Sequence, residues 1–327
     1  MKRMLTGIQP SGCITLGNYI GAIRRMVKYQ SEYESFIFVA DMHSITVPQN
    51  PIELAKNIRS LVAIYLACGV DPSRNTIFVQ SSNVYHANVS WILECLTSYG
   101  ELGRMTQFKD KSRKNENFSV GLLTYPVLMA SDILIYDTDF VPVGQDQKQH
   151  VELARDIAEK VNKKYNTNIF KMPEPLISSE GAKIMDLQDP EKKMSKSAEN
   201  LKGVILMTDD EKTIRKKIMS AVTDSDMCVK YDPVNKKGIS NLISIYSCLT
   251  GMSFSDVEKK FEGCNYGTFK REVADVVVNT LLPIQEKYNE LINSEELDKI
   301  LDEGKKRTEE IAREKYLALK KTVGLYL

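Results

Sequence analysis

The sequence predicts an α/β protein: a doubly wound parallel sheet in residues 1–205, followed by an all-helical C-terminal domain in residues 206–327. Three observations predict it. Short uninterrupted apolar runs such as Phe36-Ile37-Phe38-Val39-Ala40 read as strands buried on both faces. These runs alternate with segments of helical period, the pattern of a parallel sheet covered on both sides. Beyond about Thr208 the strand-like runs stop, and charged helical segments continue to the end, Glu295 to Leu319 among them. The boundary is expected near residues 198–208.

Taken in order, Met4 to Ile8 is a first strand, followed by the turn Gln9-Pro10-Ser11-Gly12. Leu16, Tyr19, Ile20, Ile23, Met26 and Val27 then recur with helical spacing. Phe36 to Ala40 is a second strand, ended by Asp41. Asn50-Pro51 joins a capping residue to a first-turn proline, and Leu54, Ile58, Leu61, Val62, Tyr65 and Leu66 carry that helix to a stop at Gly69. Thr76 to Gln80 is a third strand, with a helix around Val89 to Leu96 and a stop at Gly100. Phe140 to Val143 is another short strand, and Gln147 to Lys164 a long helix.

Composition narrows the functional classes. The chain has 327 residues, 43% hydrophobic and 27% charged, enough for a large core and two domains. No apolar run approaches the ~20 residues that span a bilayer. The N-terminus reaches the Gln9-Pro10-Ser11-Gly12 turn too soon for a signal peptide, so a cytoplasmic protein without a membrane partner is expected. The six cysteines form no CxxC pair and the three histidines no HExxH, so no protein-ligated metal is expected. A net charge of +1 argues neither for nor against nucleic acid. The basic runs Lys216-Lys217, Lys236-Lys237, Lys305-Lys306-Arg307 and Lys320-Lys321 read as solvated helix faces when taken alone.

Chemistry concentrates in three segments, read here as loops. Gln9-Pro10-Ser11-Gly12-Cys13-Ile14-Thr15-Leu16-Gly17-Asn18 turns from the first strand into a helix, whose N-terminus presents free N–H groups to an anion. Gly17 admits a close approach, and Thr15 and Asn18 can donate to phosphate oxygens. The segment is neither GxGxxG nor GxxxxGK[ST], and a bland strand-to-helix turn would also explain its glycines. Lys192-Lys193-Met194-Ser195-Lys196-Ser197 sets lysines around small hydroxyl residues after the Asp189-Pro190 turn; it can fold over a triphosphate or be an ordinary solvated loop. In the third, Asp132 stands in the apolar stretch Leu128-Met129-Ala130-Ser131-Asp132-Ile133-Leu134-Ile135. A carboxylate there must find a partner or shift its pKa. It can serve a ligand, cap a helix or pair with a lysine.

These residues carry a resemblance. Lys193-Met194-Ser195-Lys196-Ser197 is similar to the KMSKS signature of class I aminoacyl-tRNA synthetases. Pro10 to Asn18 resembles their HIGH-type signature in its tryptophanyl form, with threonine for the first histidine and asparagine in the last position. Asp41-Met42-His43-Ser44-Ile45-Thr46, Gly121-Leu122-Leu123-Thr124-Tyr125-Pro126, Met129 to Leu134 and Val143-Gly144-Gln145-Asp146-Gln147 resemble bacterial tryptophanyl-tRNA synthetase segments in the same order. Weaker likeness continues through Ala221-Val222-Thr223-Asp224-Ser225 and Gly238-Ile239-Ser240-Asn241-Leu242.

The resemblance implies a Rossmann-like catalytic domain, a helical anticodon-binding domain, a homodimer, and ATP with Mg²⁺, L-tryptophan and tRNA(Trp) as substrates. Tryptophan would meet Leu5, His43, Tyr125, Met129, Asp132 and Gln147, with Asp132 accepting from the indole N–H. ATP would meet Gln9, Pro10, Ser11, Gly17 and Asn18, the ribose turn Gly144-Gln145-Asp146, Ile184 beside the adenine, and Lys193, Met194, Ser195, Lys196 and Ser197. Thr15, Asn18, Lys111, Lys193 and Lys196 would act on the phosphates. Leu5 stands where relatives commonly carry an aromatic residue, Gln145 where a glutamate is usual, and Ala198-Glu199 where Asp-Pro follows the lysine loop. A tyrosyl-tRNA synthetase, a small-molecule nucleotidylyltransferase and a non-catalytic paralogue share parts of this pattern.

Overall fold

The computed structural model describes residues 1–112, 118–177, 183–195 and 200–326. Five strands, β1 (Arg3–Ile8), β2 (Glu34–Val39), β3 (Asn75–Val79), β4 (Phe140–Val143) and β5 (Glu174–Ile177), form one sheet in the order β3-β2-β1-β4-β5. All neighbours run parallel. Alternate residues of β2 face opposite sides, as the pleat requires. Ile37 and Val39 join a core with the Pro51–Ala67 helix and the C-terminal helices, whereas Phe36 and Phe38 join a second core with helices Tyr85–Glu94, Val120–Leu134 and Lys148–Lys164.

The cap chemistry read from the sequence operates where expected at Asn50, whose side chain accepts from the Ile52 and Glu53 N–H groups, and at Gly69, with φ +97°. Two readings need correction, and one strand went unread. Gly100 does not stop the preceding helix, which ends at Glu94; it lies within a separate helix, Tyr99–Gly103, capped by Ser98. β5 carries a glutamate and a proline, which conceal it as a strand but suit a sheet edge. The Asp132 segment is not a loop but the end of the Val120–Leu134 helix, which holds Pro126 inside it.

After β5 the described residues contain only helices and loops: Glu211–Met219, Lys237–Thr250, Phe254–Lys260, Tyr266–Leu291 and Glu295–Val323. The last returns to the sheet. Gly304 lies so close to β3 that an added Cβ would stand 1.8 Å from the Ile77 carbonyl oxygen. Ala312 and Leu319 enter the second core. A helix thereby covers the β3 edge, which would otherwise offer unpaired backbone groups. Among the described residues no helix is long and apolar enough to cross a membrane.

Candidate active site

In the strand order the chain switches direction between β1 and β4, and open parallel sheets bind ligands at the carboxyl ends flanking such a point. The pairing here is minimal. Only Met4 and Phe140 register across the seam, and below it the strands are pinned by Asp139 N–H to the Arg3 carbonyl at 2.9 Å. Above it they part. Leu5, Thr6 and Gly7 on one side and Val141, Pro142 and Val143 on the other line a cleft of about 960 Å³.

Fourteen residues singled out from the sequence line this one cleft: Leu5, Gln9, Gly17, Asn18, His43, Tyr125, Met129, Asp132, Gly144, Gln145, Asp146, Gln147, Ile184 and Lys193. Pro10, Ser11, Thr15, Met194 and Ser195 do not line it. The side chain of Lys111, and all of Lys196 and Ser197, lie outside the described residues.

At the closed end Asp132 is 1% exposed. Its partners are neither a helix terminus nor a lysine. Oδ1 lies 2.7 Å from His86 Nδ1 and accepts from Gln80 Nε2 at 2.8 Å; Oδ2 lies 2.8 Å from His43 Nε2 and 2.9 Å from Gln80 Nε2. Burial pushes this carboxyl up, but the hydrogen bonds from His43 and His86 outweigh it and hold the group below its ordinary value. Of the three donors only His43 lines the cleft; Gln80 and His86 are fully buried behind it. Sequence reasoning missed Gln80 and His86. Gln80 had a usable signal, its place directly after β3 at a carboxyl end of the sheet; His86 had none. Beside them, the Tyr125 hydroxyl donates to Gln107 Oε1 at 3.2 Å and lies 2.9 Å from His150 Nε2, and burial pushes its pKa up to about 12.

At the mouth, Thr15 and Asn18 form a capping box. The Asn18 N–H donates to Thr15 Oγ1 at 3.2 Å, and Asn18 Oδ1 accepts from the Thr15 N–H at 3.1 Å and hydroxyl at 3.0 Å. Thr15 is fully buried and aims Asn18; the NH₂ end of Asn18, on the cleft wall, is the part offered to a ligand. The helix continues through a π-helical segment, Tyr19–Ile23, which sets Gly21 and Ala22 on the cleft wall.

The lysine segment is a narrow hairpin. Met185 and Lys193 form an antiparallel bridge, Met194 N–H donates to the Ile184 carbonyl at 2.9 Å, and Asp186 N–H to the Lys192 carbonyl at 2.8 Å. One amide holds it from the helical half: Asn241, on Lys237–Thr250, accepts from the Met185 N–H and donates to the Met185 carbonyl, both at 2.8 Å. The hairpin touches the first motif. A Cβ added to Gly17 would lie 3.5 Å from Met194 Cβ and 3.6 Å from Ile184 Cβ. Glycine at 17 lets these segments meet across one mouth. Lys193, exposed, lines the same cleft as Gly17 and Asn18.

Comparison with known proteins gives a consistent result. Residues 1–282 match the family described as tRNA synthetases class I (W and Y). A tryptophan–tRNA ligase of Halalkalibacterium halodurans is 56% identical over 324 residues, covering 99% of this chain and 98% of that protein; one of Bacillus subtilis is 54% identical over the same shares. Among solved structures, tryptophanyl-tRNA synthetase from Mycoplasma pneumoniae superposes with a TM-score of 0.91 at 37% identity, over 100% of this chain and 98% of that one. The Campylobacter jejuni tryptophanyl-tRNA synthetase complexed with ADP and tryptophan gives 0.85 at 38% identity, over 99% and 100%. With the two motif segments in contact over a crevice at the sheet's switch point, the chain belongs to the class I aminoacyl-tRNA synthetases of the tryptophan and tyrosine type, in their bacterial tryptophanyl branch.

Proposed function

We propose that this cleft joins L-tryptophan to AMP, releasing pyrophosphate, and then transfers the tryptophanyl group to the terminal ribose of tRNA(Trp). The approach of Met194 and Ile184 to Gly17 carries the reading, because it gathers the helix start and the lysine hairpin around one cleft. In the first step a tryptophan carboxylate oxygen bonds to the α-phosphorus of ATP as the bond to pyrophosphate breaks. No protein nucleophile takes part; positioning and stabilisation of charge do the work. Asn18, Lys193, Lys196 and Lys111 act on the phosphates, and Mg²⁺ arrives with ATP, held mainly by phosphate oxygens and water. Gly144, Gln145 and Asp146 hold the ribose, and Ile184 lies against the adenine.

The indole enters the closed end beside Leu5 and Met129, where its N–H takes the place of His43 at Asp132 Oδ2. A ligand without that donor would leave a buried acceptor unmatched, the logic by which such pockets reject phenylalanine. Tyr125 and Gln147 serve the ammonium and carboxylate. Residues 206–327 bind the anticodon arm. We infer a cytoplasmic enzyme, since its third substrate is a transfer RNA, and a homodimer. In support of the dimer, Ile45, Trp91 and Val120 are 64%, 67% and 75% exposed around an apolar recess lined by Met42, Gly121 and Leu128. Pyrophosphate exchange into ATP, run with each of the twenty amino acids, tests the reaction. Exchange with tryptophan alone is expected; exchange with tyrosine, or with none while tRNA still binds, would overturn it.

A further inference from the structure

Behind Asp132 lies a line of hydrogen bonds whose direction can be read from its far end. Asn83 Oδ1 accepts from the Tyr85 N–H at 3.1 Å, which fixes the amide orientation and leaves Nδ2 to donate to the Tyr136 hydroxyl oxygen at 3.2 Å. The Tyr136 hydroxyl lies 2.8 Å from His86 Nε2, and His86 Nδ1 lies 2.7 Å from Asp132 Oδ1. A carboxylate only accepts, so His86 Nδ1 carries the proton facing it. In the neutral ring Nε2 is then an acceptor, and the Tyr136 O–H donates to it. The line thus runs Asn83 to Tyr136 to His86 to Asp132, every member buried. The Ser131 hydroxyl donates to the His86 carbonyl at 2.7 Å and steadies the same residue. The Tyr136 ring stacks on Phe36 with centroids 5.2 Å apart and meets Phe78 edge-on at 5.6 Å, so its hydroxyl has little freedom.

We infer that His86 and Tyr136, neither of which lines the cleft, are positioning residues for tryptophan specificity: through one fixed tautomer they hold Asp132 as an aimed acceptor for the indole N–H. The inference rests on the reading of Asp132 as the indole's partner.

The test uses the full-length protein and tryptophan-dependent pyrophosphate exchange. A second amino acid, the tryptophan isostere with sulfur in place of the indole N–H, reports that one hydrogen bond. Tyr136→Phe keeps the ring and removes only the hydroxyl. It should raise the tryptophan KM by about three- to tenfold, the worth of one hydrogen bond. The KM for ATP should be unchanged, and the preference for tryptophan over the isostere should shrink. His86→Ala should do the same, and His86→Asn, which keeps a donor near the Nδ1 position, should recover most of the preference. A lower melting temperature in Tyr136→Phe with tryptophan KM and isostere preference intact would overturn the inference, as would equal behaviour of His86→Ala and His86→Asn. Asp132→Asn separates the two layers. If it leaves the preference unchanged, the reading of Asp132 itself fails; if it abolishes the preference while Tyr136→Phe and His86→Ala retain it, only the positioning role fails.

Discussion

At the closed end of the cleft, Asp132 accepts from Gln80, His86 and His43 inside a shell of buried aromatic rings. At the mouth, Lys193 is exposed on a hairpin held by backbone bonds and by the Asn241 amide. The difference follows from what each end must distinguish. Selecting an indole over a phenyl ring requires an acceptor whose geometry is settled before the ligand arrives, because an adaptable acceptor would settle for water. Stabilising a departing pyrophosphate requires charges that meet the triphosphate as it reacts, and long lysines on a surface hairpin can do so. On the function proposed above, discrimination would be built into the core, and rate enhancement into the rim.

That contrast can be tested from its strongest consequence downward. Lys196→Ala should slow adenylate formation by about 10²–10³-fold, the usual loss for one stabilising group, with tryptophan binding and melting temperature little altered; single-turnover kinetics reads the rate. A matching loss of tryptophan affinity would break the division of labour. Gly304→Ala should do the reverse. Its Cβ meets the Ile77 carbonyl, so the last helix must shift, at a cost of about 1–3 kcal/mol in urea unfolding. Asn241→Ala removes both bonds to Met185 and should lower kcat by up to about tenfold with the tryptophan KM unchanged, because the hairpin, not the pocket, loses its anchor.

The smallest effect is acid sensitivity. Asp132 is held below its free value near 3.8, so the folded protein binds this proton less readily than the unfolded chain. Its contribution is complete above that value and is lost as the pH falls through the lower folded one. Melting curves of Asp132→Asn should therefore fall less steeply in that acid range than those of the parent. Identical slopes would show that the closed end stores no stability in its charge.

The parts legible in the sequence were those with a repeating signal or a fixed motif. β1 to β4 announced themselves as continuous apolar runs because both faces of each are covered. β5 did not, because an edge strand tolerates a glutamate and a proline. The Val120–Leu134 helix was hidden by its nearly uninterrupted apolar character and by Pro126, which disguise the helical period. The motif residues of the cleft could be named because their order along the chain is distinctive. Thr15 was read as a phosphate contact, but it does not line the cleft and its side chain is spent on capping Asn18. Gln80, His86 and Tyr136 were not read as partners of Asp132, and only Gln80 carried a signal, its place directly after β3. They are 52, 46 and 4 positions from Asp132, and only the packing of β3 and the Tyr85–Glu94 helix beside Val120–Leu134 brings them together. The Asn241 clamp was equally silent, since nothing in an asparagine on a helix reveals that it will bind another segment's backbone.

The single rung between β1 and β4 has a mechanical meaning. A sheet divided along most of one seam is two plates hinged at a corner, joined along the rest of that seam by side-chain packing rather than by backbone rungs. Substrates wedged between Leu5 to Gly7 and Val141 to Val143 would act as mortar, bridging the plates where backbone bonds are missing. Resistance to heat should then climb with occupancy, in proportion to the logarithm of ligand concentration over Kd, and the enzyme should be sturdiest while at work.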